Sequence, residues 1–177
     1  AGHKWRHVSS WSLVEQISDA AECDVASLLL DADLDTVVRT DNAQLATFAL
    51  SMVSWHHYVA SADPPRYVLG HSLGEFSGLV AAGIMSLDDG ARVIAARGRA
   101  MADAARQRSG SMVALMGAVA DPPRALEELD DIWIANVNGT GQIVVSGTSD
   151  ALASLCANSA EFGWKRATPL TVGGAFH

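Results

Sequence analysis

The feature that most constrains this chain is a serine between two glycines, directly after a short apolar run at 67–69. The G-x-S-x-G pattern of Gly70, Ser72 and Gly74 predicts a strand over 66–70, a sharp turn and a helix. At such a turn a Cβ on either glycine would clash with neighbouring backbone, and the serine sits in strained backbone angles at a helix N-terminus. The positive end of that helix can stabilise an oxyanion. A pattern this short also occurs by chance in turns with an incidental serine, so it indicates a nucleophile without deciding the reaction.

Composition excludes several classes of protein. The 177 residues are 49% hydrophobic, which is enough to bury a core, and the formal net charge of −8 argues against a broad nucleic-acid or anionic-membrane surface. Two cysteines, Cys23 and Cys156, have no histidine at metal-ligand spacing, and no signal peptide or long apolar span is present. We therefore expect a cytoplasmic protein with reduced thiols and no bound metal.

Hydrophobic spacing predicts three helices around the serine turn. Asp41 and Asn42 are expected to cap a helix over 43–61, whose spacing of three to four residues turns one face inward: Leu45, Phe48, Ala49, Met52, Trp55 and Val59. The run 75–82 is apolar almost all round, which is typical of a helix buried against a sheet. A long helix over 89–107 is predicted to direct these side chains inward: Val93, Ala96, Ala100, Met101 and Ala104.

The pattern of apolar and turn residues changes near Gly110. Apolar runs and turn residues predict strands over 112–117, 132–136, 142–146 and 166–172. Between them we expect a helix over 122–129 and a second helix that is capped by Ser149 or Asp150 and runs to about Phe162. The order βαββαβ is the ferredoxin-like pattern. We therefore divide the chain into an α/β part over 1–110, an α+β subdomain over 111–172, and a segment 173–177 that returns to the first part.

A serine is a weak nucleophile unless a base removes its proton, and histidine is the usual base because its pKa lies near neutrality. His177 is the candidate because a glycine-rich segment precedes it; a disordered terminal histidine is the competing interpretation. No aspartate or glutamate stands out as the third member of a triad. This disfavours a lipase-type hydrolase.

Four segments in order resemble one family. They are G-H-S-L-G-E at 70–75, A-R-G-R-A-M at 96–101, N-V-N-G-T-G-Q-I-V-V-S-G at 136–147 and G-A-F-H at 174–177. Together they are similar to the malonyl-CoA:acyl carrier protein transacylases and the acyltransferase domains of polyketide synthases. The resemblance covers about 20–177 and implies a hydrolase-like α/β core with an inserted ferredoxin-like subdomain.

The resemblance also implies roles for individual residues. Ser72 would be acylated by malonyl-CoA and His177 would be its general base, after which the malonyl group passes to the phosphopantetheine thiol of an acyl carrier protein. Arg97 would pair with the malonyl carboxylate, a task suited to a planar, always charged donor. The remaining predicted substrate-binding residues are Gln44, His71, Leu73 through its N–H, Asn138 and Phe176. No cofactor is implied beyond the CoA thioester and the carrier's phosphopantetheine.

The phenylalanine before the histidine is similar to that of malonyl-selective family members, so we expect Phe176 to favour malonyl over methylmalonyl. Family members also have an N-terminal strand with a glycine-glutamine-glycine loop and a segment after the histidine, and neither is found between Ala1 and His177. We therefore expect a piece of a longer protein, with other synthase domains in cis as further partners. The alternatives are a serine hydrolase or thioesterase, and a non-catalytic fragment of a megasynthase.

Overall fold

The computed structural model describes residues 1–117, 126 and 129–177. The helix predicted over 122–129 therefore lies almost entirely outside the described residues. The chain divides into two compact units, Ala1–Ala100 and Met101–His177. Each unit has a hydrophobic core of its own.

The first unit consists of helices. Two short 3-10 helices, Gly2–Lys4 and Ser9–Ser12, precede the α-helices, whose bounds are α1 Leu13–Ala21, α2 Val25–Leu30, α3 Leu34–Val37, α4 Thr40–Val59, α5 Leu73–Ala81 and α6 Leu87–Gln107. Helix α6 runs across the division between the two units. Asp24 and Asp33 cap α2 and α3 by accepting the N–H groups of Ser27 and Thr36, each at 2.8 Å.

Helix α4 forms the centre of the first core. Leu45, Phe48, Ala49 and Met52 are buried as predicted, whereas Trp55 and Val59 are only partly buried. The predicted caps are wrong, because α4 begins at Thr40 and both Asp41 and Asn42 lie inside its first turn. The Asn42 amide instead donates to the carbonyl of Thr36 at 2.9 Å, which joins α4 to α3.

The buried face of α6 differs from the predicted one. Val93, Ala96, Ala100 and Ala104 are exposed and Met101 is partly buried; the face that packs inward consists of Gly90, Ala91, Ile94, Ala95 and Gly98. A Cβ at Gly90 would lie 2.8 Å from side-chain atoms of both Phe48 and Val80. The prediction counted only apolar side chains, whereas the buried face includes Gly90 and Gly98, where the absence of a Cβ lets neighbouring groups come close.

The strand predicted over 66–70 is absent, and this segment has no regular secondary structure. Tyr67 is 76% and Leu69 is 97% exposed, and Val68 is only partly buried. An apolar run becomes a strand only when another strand pairs with it, and all strands of the described residues lie in the second unit. Because the described strands all lie in the second unit, α5 has no sheet of the first unit to pack on. Ser77, which is 8% exposed, is its one buried residue.

Beyond the end of α6, the described residues of the second unit form an antiparallel sheet and one further helix. Its elements are β1 Ser111–Met116, β2 Ile132–Gly139, β3 Gln142–Gly147, α7 Ser149–Ala157 and β4 Arg166–Pro169, and the strand order is β2-β3-β1-β4. The register pairs Val113 with Val145 and with Pro169. The four predicted strands are confirmed, although β4 ends at Pro169, which lacks the N–H needed to continue a ladder. The helix predicted to reach 162 ends at Ala157, and its cap is Thr148 rather than Ser149 or Asp150, because the Thr148 hydroxyl accepts the N–H of Ala151.

The two faces of this sheet bury different side chains, as the alternation along a strand requires. Val113, Leu115, Ile143 and Val145 pack on one face against α7 and Trp164. The smaller cluster on the other face contains Met112, Ala114 and Val144, with Ala135, Leu170 and Phe176 packed against it. Phe176 therefore packs the end of the chain against this face of the sheet.

Candidate active site

Ser72 occupies a strained turn directly before α5. Its backbone angles are φ 53° and ψ −112°, and it is the N-cap residue of the helix that begins at Leu73. A positive φ is costly for a residue with a Cβ, so the surrounding structure must hold it in place. The N–H of Gly74 donates to the carbonyl of His71 at 2.9 Å, which closes the turn. The predicted strained serine turn is therefore confirmed, with the hydroxyl at a helix N-terminus.

The two flanking glycines have different reasons to be present. A Cβ at Gly70 would lie 2.0 Å from both the carbonyl carbon and the oxygen of Gly74 and 2.2 Å from the nitrogen of Glu75. No side chain fits there. A Cβ at Gly74 would meet nothing within 4 Å, so the clash predicted at that position is wrong for the described structure.

This difference predicts opposite outcomes for two alanine substitutions. Gly70→Ala should destabilise the protein by at least about 1–3 kcal/mol, because the Cβ collides with backbone that cannot move without opening the turn. We expect its Tm to fall by roughly 2–12 °C in circular dichroism melting. The matched variant Gly74→Ala should melt at or slightly above the parent temperature, since alanine favours helix over glycine by about 1 kcal/mol. Equal melting temperatures for the two variants would contradict this account of the turn.

Arg97 brings three predicted residues together. Its Nη2 donates to the Oγ of Ser72 at 3.1 Å, and its Nη1 donates to the Oε1 of Gln44 in a short contact. Gln44 is buried, with 8% of its surface exposed. The guanidinium carbon also lies 5.8 Å from the centroid of the Phe76 ring, a cation–π contact. Ser72, Arg97 and Gln44 therefore form one cluster, as the family resemblance implies.

The helices that carry this cluster approach each other through a glycine. Gln44 lies early in α4 and Arg97 lies in the middle of α6. At Gly98, next to Arg97, a Cβ would lie 2.9 Å from the Cα of Asp41 in the first turn of α4. The close contact at Gly98 is what lets the arginine reach the glutamine, so the glycine of the A-R-G-R-A-M segment has a structural role that its spacing did not reveal.

Phe76 is the site residue that the sequence pattern did not indicate. It lies in the first turns of α5, four residues after Ser72, and therefore on the same side of the helix as its start. An aromatic four residues after a turn serine is a weak signal by itself. It becomes informative only when the arginine that packs on the ring is known.

The charge of Arg97 is not neutralised by a carboxylate within the part of the chain that the structure describes. The ion pairs there involve Arg39, Arg92 and Arg106, and each of these has an aspartate partner. Arg97 instead has an amide oxygen, a hydroxyl and an aromatic face around it. A partly buried cation with neutral partners attracts an anionic ligand, and a guanidinium binds a carboxylate through two parallel hydrogen bonds.

The other predicted residues are placed as follows. His71 is exposed next to the serine, and Leu73 is the partly buried first residue of α5. Asn138, on β2, is exposed and its amide donates to Gln142 at 3.1 Å, across the β2–β3 hairpin. His177 is exposed with φ 64°, and it lines a cavity of the second unit together with Phe176. Asn138, Phe176 and His177 belong to the second unit. The pairing of His177 with Ser72 stays a prediction.

The cysteines are poor candidates for a nucleophile. Burial raises the pKa of the Cys23 thiol, and the carboxylates of Asp24 and Asp41 raise it further. Burial also raises the pKa of Cys156. Little thiolate is then present at neutral pH, so the serine is the better nucleophile candidate. Across the described residues no group of three or more His, Cys, Asp or Glu side chains could hold a metal ion, and no helix is long and apolar enough to cross a membrane.

Comparison with known proteins places this arrangement in a family. Residues 9–177 match the family described as the acyl transferase domain. The chain belongs to this family. It is 35% identical over 170 residues to the malonyl CoA-acyl carrier protein transacylase of Bacillus subtilis (strain 168), a match that covers 93% of the chain and 54% of that protein. The acyl transferase domain is also 37% identical over 163 residues to a PKS-NRPS hybrid synthetase of Aspergillus niger, covering 86% of the chain and 9% of that protein.

A solved structure has the same fold. The malonyl-CoA:acyl carrier protein transacylase of Xanthomonas oryzae superposes with a TM-score of 0.84 at 33% identity, covering 94% of this chain and 55% of that one. The chain therefore has the α/β fold of the part of that enzyme that it matches. The chain spans about half the length of the transacylases that it matches.

Proposed function

We propose that the protein containing this chain transfers a malonyl group from CoA to the phosphopantetheine thiol of an acyl carrier protein, through an acyl-enzyme on Ser72. The observation that carries the proposal is the position of Arg97, whose guanidinium donates to the nucleophile's own Oγ and has no carboxylate partner among the described residues. A malonyl thioester presents the matching features. Its free carboxylate needs a cation, and its carbonyl must lie over a hydroxyl.

The proposed reaction has two halves. In the first, His177 removes the proton of Ser72 as Oγ attacks the thioester carbonyl, the N–H of Leu73 donates to the oxyanion, and collapse expels the CoA sulfur, which takes the proton from His177. In the second, His177 removes the proton of the carrier thiol, which attacks the malonyl ester, and the proton returns to Ser72. The serine is regenerated, so the cycle requires no further reactant.

Arg97 and Gln44 act in this scheme by positioning. Gln44 is buried and accepts from one guanidinium nitrogen, which fixes the plane of the arginine. A malonyl carboxylate bound to that plane then holds the reacting carbonyl, on the far side of a single methylene, over Ser72. Well-oriented intramolecular reactions gain up to about 7–11 kcal/mol from such positioning, so even a part of this effect matters for the rate.

The antiparallel order β2-β3-β1-β4 supports our assignment of 111–172 as a ferredoxin-like subdomain inserted in a hydrolase-like core over 1–110, with 173–177 returning to that core. The similarity to a hybrid synthetase supports a setting in which other synthase domains lie in cis. We also propose that the enzyme selects malonyl over methylmalonyl groups.

A transfer assay tests the proposal against hydrolysis. The full-length protein is mixed with malonyl-CoA, with and without a holo carrier protein, and malonyl carrier, free malonate and malonyl-enzyme are measured by mass spectrometry. We expect a stable malonyl-enzyme without the carrier and malonyl carrier when it is added. Rapid release of malonate would favour a thioesterase, and no adduct on the enzyme would favour a non-catalytic module.

Phe176 is expected to set the choice between malonyl and methylmalonyl. It is partly buried against the Met112, Ala114 and Val144 face of the sheet, so its ring has a fixed place beside His177. Phe176→Ser should lower the ratio of kcat/KM for malonyl-CoA to that for methylmalonyl-CoA by about tenfold, the usual worth of one methyl group. The ratio cancels any general loss of active protein. Val172→Ser, at a position 40% exposed, is the control and should leave the ratio unchanged; an unchanged ratio in Phe176→Ser would contradict the assignment.

A further inference from the structure

An aromatic ring is one of the groups around the cation of the serine cluster. The guanidinium carbon of Arg97 lies over the Phe76 ring, 5.8 Å from its centroid. The face of a benzene ring carries partial negative charge, so it attracts a cation placed over it, and the attraction is stronger where water is kept away. Both side chains are partly buried. Phe76 is therefore an electrostatic partner of the arginine as well as an apolar neighbour.

The position of this ring is fixed from two directions. Phe76 packs on the first core together with Leu73 and Val80 of the same helix. It also lies one turn after the start of α5, and that start is the strained turn at Ser72. The ring and the serine hydroxyl are therefore carried by one short, well-anchored segment of backbone.

The ring differs from the other partners of the guanidinium because it takes up no N–H group. Nη1 of Arg97 donates to the Oε1 of Gln44, and Nη2 donates to the Oγ of Ser72. In the proposed reaction Oγ becomes an ester oxygen, which is a weaker acceptor, and a substrate carboxylate takes two of the five N–H groups. A contact through the face of Phe76 is compatible with both events. It can therefore hold the arginine before and during acylation.

We propose that Phe76 is a positioning residue for acyl groups with a free carboxylate. Its ring holds the guanidinium of Arg97 at the angle at which a bound carboxylate places the thioester carbonyl over Ser72. The proposal rests on the proposed function and adds to it a residue that acts through the arginine. Thioesters of uncharged acyl groups have no carboxylate for Arg97 to hold, so they gain nothing from this contact.

Two thioesters test the role of the ring. The rate of acyl-enzyme formation is measured on the full-length protein with malonyl-CoA and with acetyl-CoA. Phe76→Leu keeps an apolar side chain but removes the aromatic face, and it should lower the malonyl rate at saturation about fivefold. The half-saturating concentration of malonyl-CoA should stay within about twofold because the cation is still present, and the acetyl rate should also stay within about twofold. Phe76→Tyr retains an aromatic face and should restore the ratio of malonyl to acetyl rates.

Fluorinated phenylalanines at position 76 separate charge from packing. Each fluorine withdraws negative charge from the ring face with little change in size, so the cation–π contact weakens in steps. The ratio of malonyl to acetyl rates should fall from phenylalanine to 3,5-difluorophenylalanine and again to 3,4,5-trifluorophenylalanine. In an Arg97→Ala background no cation lies over the ring, and adding Phe76→Leu should lower the ratio no further.

Val80→Ala is the matched packing control. Val80 packs on the same core from the next turn of α5, where its side chain would lie 2.8 Å from a Cβ at Gly90. Gly90 is about two turns, or about 10 Å, away from Arg97 along α6. Val80→Ala should lower the Tm but leave the ratio of malonyl to acetyl rates unchanged. A fall of the ratio in Val80→Ala equal to that in Phe76→Leu would show a general effect of packing and overturn the proposal.

Other results would also overturn the positioning role. These are equal losses of malonyl and acetyl loading in Phe76→Leu, a constant ratio across the fluorinated series, and a change confined to the half-saturating concentration. Loading of Ser72 precedes both transfer and hydrolysis, so the ratio tests the ring whichever fate the acyl group meets.

The two proposals therefore fail in distinguishable ways. If malonyl carrier is formed but the ratio does not depend on Phe76, the positioning role is wrong and the transferase assignment stands. If the ratio falls as expected but free malonate is released in place of malonyl carrier, the transferase assignment is wrong and the positioning role stands. A parent protein that never gains malonyl on Ser72 would overturn both.

Discussion

Replacing Ser72 with alanine will abolish formation of the malonyl-enzyme and lower malonyl transfer by at least about 10³-fold. Removing the nucleophile of a serine enzyme leaves only the catalysis due to binding and to the oxyanion donors. The measurement is the intact mass of the full-length protein after incubation with malonyl-CoA: the parent gains one malonyl group and Ser72→Ala gains none.

A matched serine on the same helix provides the control. Ser77 is buried, with 8% of its surface exposed, and its Oγ has no hydrogen-bond partner among the described residues. Ser77→Ala therefore removes a hydroxyl from α5 without breaking a hydrogen bond of the described structure, and we expect normal malonyl loading and an unchanged Tm. A malonyl adduct on Ser72→Ala would place the nucleophile elsewhere, and loss of loading in Ser77→Ala would indicate that the helix tolerates no change.

The sequence was most informative where a local pattern has a local cause. The strained turn at Ser72 follows from backbone geometry over five residues, and the structure contains it with φ 53°. The strands of the second unit were also predicted, because alternation and turn residues mark where a strand begins and ends. A local pattern does not determine the order β2-β3-β1-β4, since the choice of partner strand depends on residues far apart in the chain.

Prediction was wrong where packing depends on small residues or on partners. The inward face of α6 was assigned to Val93, Ala96 and Ala100, whereas the buried face contains Gly90 and Gly98, which hydrophobic spacing ignores. The segment 66–70 has the composition of a strand but no strand beside it in the described structure. Phe76 was missed because its role exists only through the guanidinium that lies over its ring.

The cluster around Arg97 was predicted from the family resemblance and not from the spacing or chemistry of the residues alone. Nothing in the spacing of 25 residues between Ser72 and Arg97 requires the two side chains to meet. The structure supplies the physical reason, which is a glycine at position 98 that permits close approach of α6 to α4, and a buried glutamine that fixes the guanidinium. Both features depend on the packing of α4, α5 and α6 against one another.

Replacing Arg97 with alanine will reduce the rate of Ser72 loading by malonyl-CoA by about 10²-fold while leaving loading by acetyl-CoA within about threefold of the parent rate. A hydrogen bond to a charged group contributes about 1.5–3 kcal/mol, and a bidentate pair to a carboxylate reaches the upper part of that range or exceeds it. Acetyl-CoA has no carboxylate, so it loses no charge-assisted pair with the substrate when Arg97 is removed, and only the contact of Arg97 with the Ser72 Oγ is lost. The measurement is the rate of acyl-enzyme formation with each thioester.

Arg97→Lys and Arg99→Ala sharpen this experiment. Lysine keeps the charge but cannot form two parallel bonds, so Arg97→Lys should recover only part of the malonyl rate. Arg99 lies two residues along α6 on an exposed position, and Arg99→Ala should load malonyl at the parent rate. If Arg97→Ala instead slowed acetyl and malonyl loading equally, the guanidinium would act on the serine hydroxyl that it contacts rather than on the malonyl carboxylate. If malonyl loading did not change at all, the cation would have no role in substrate binding, and an enzyme that hydrolyses neutral acyl groups would become the better explanation of the serine turn.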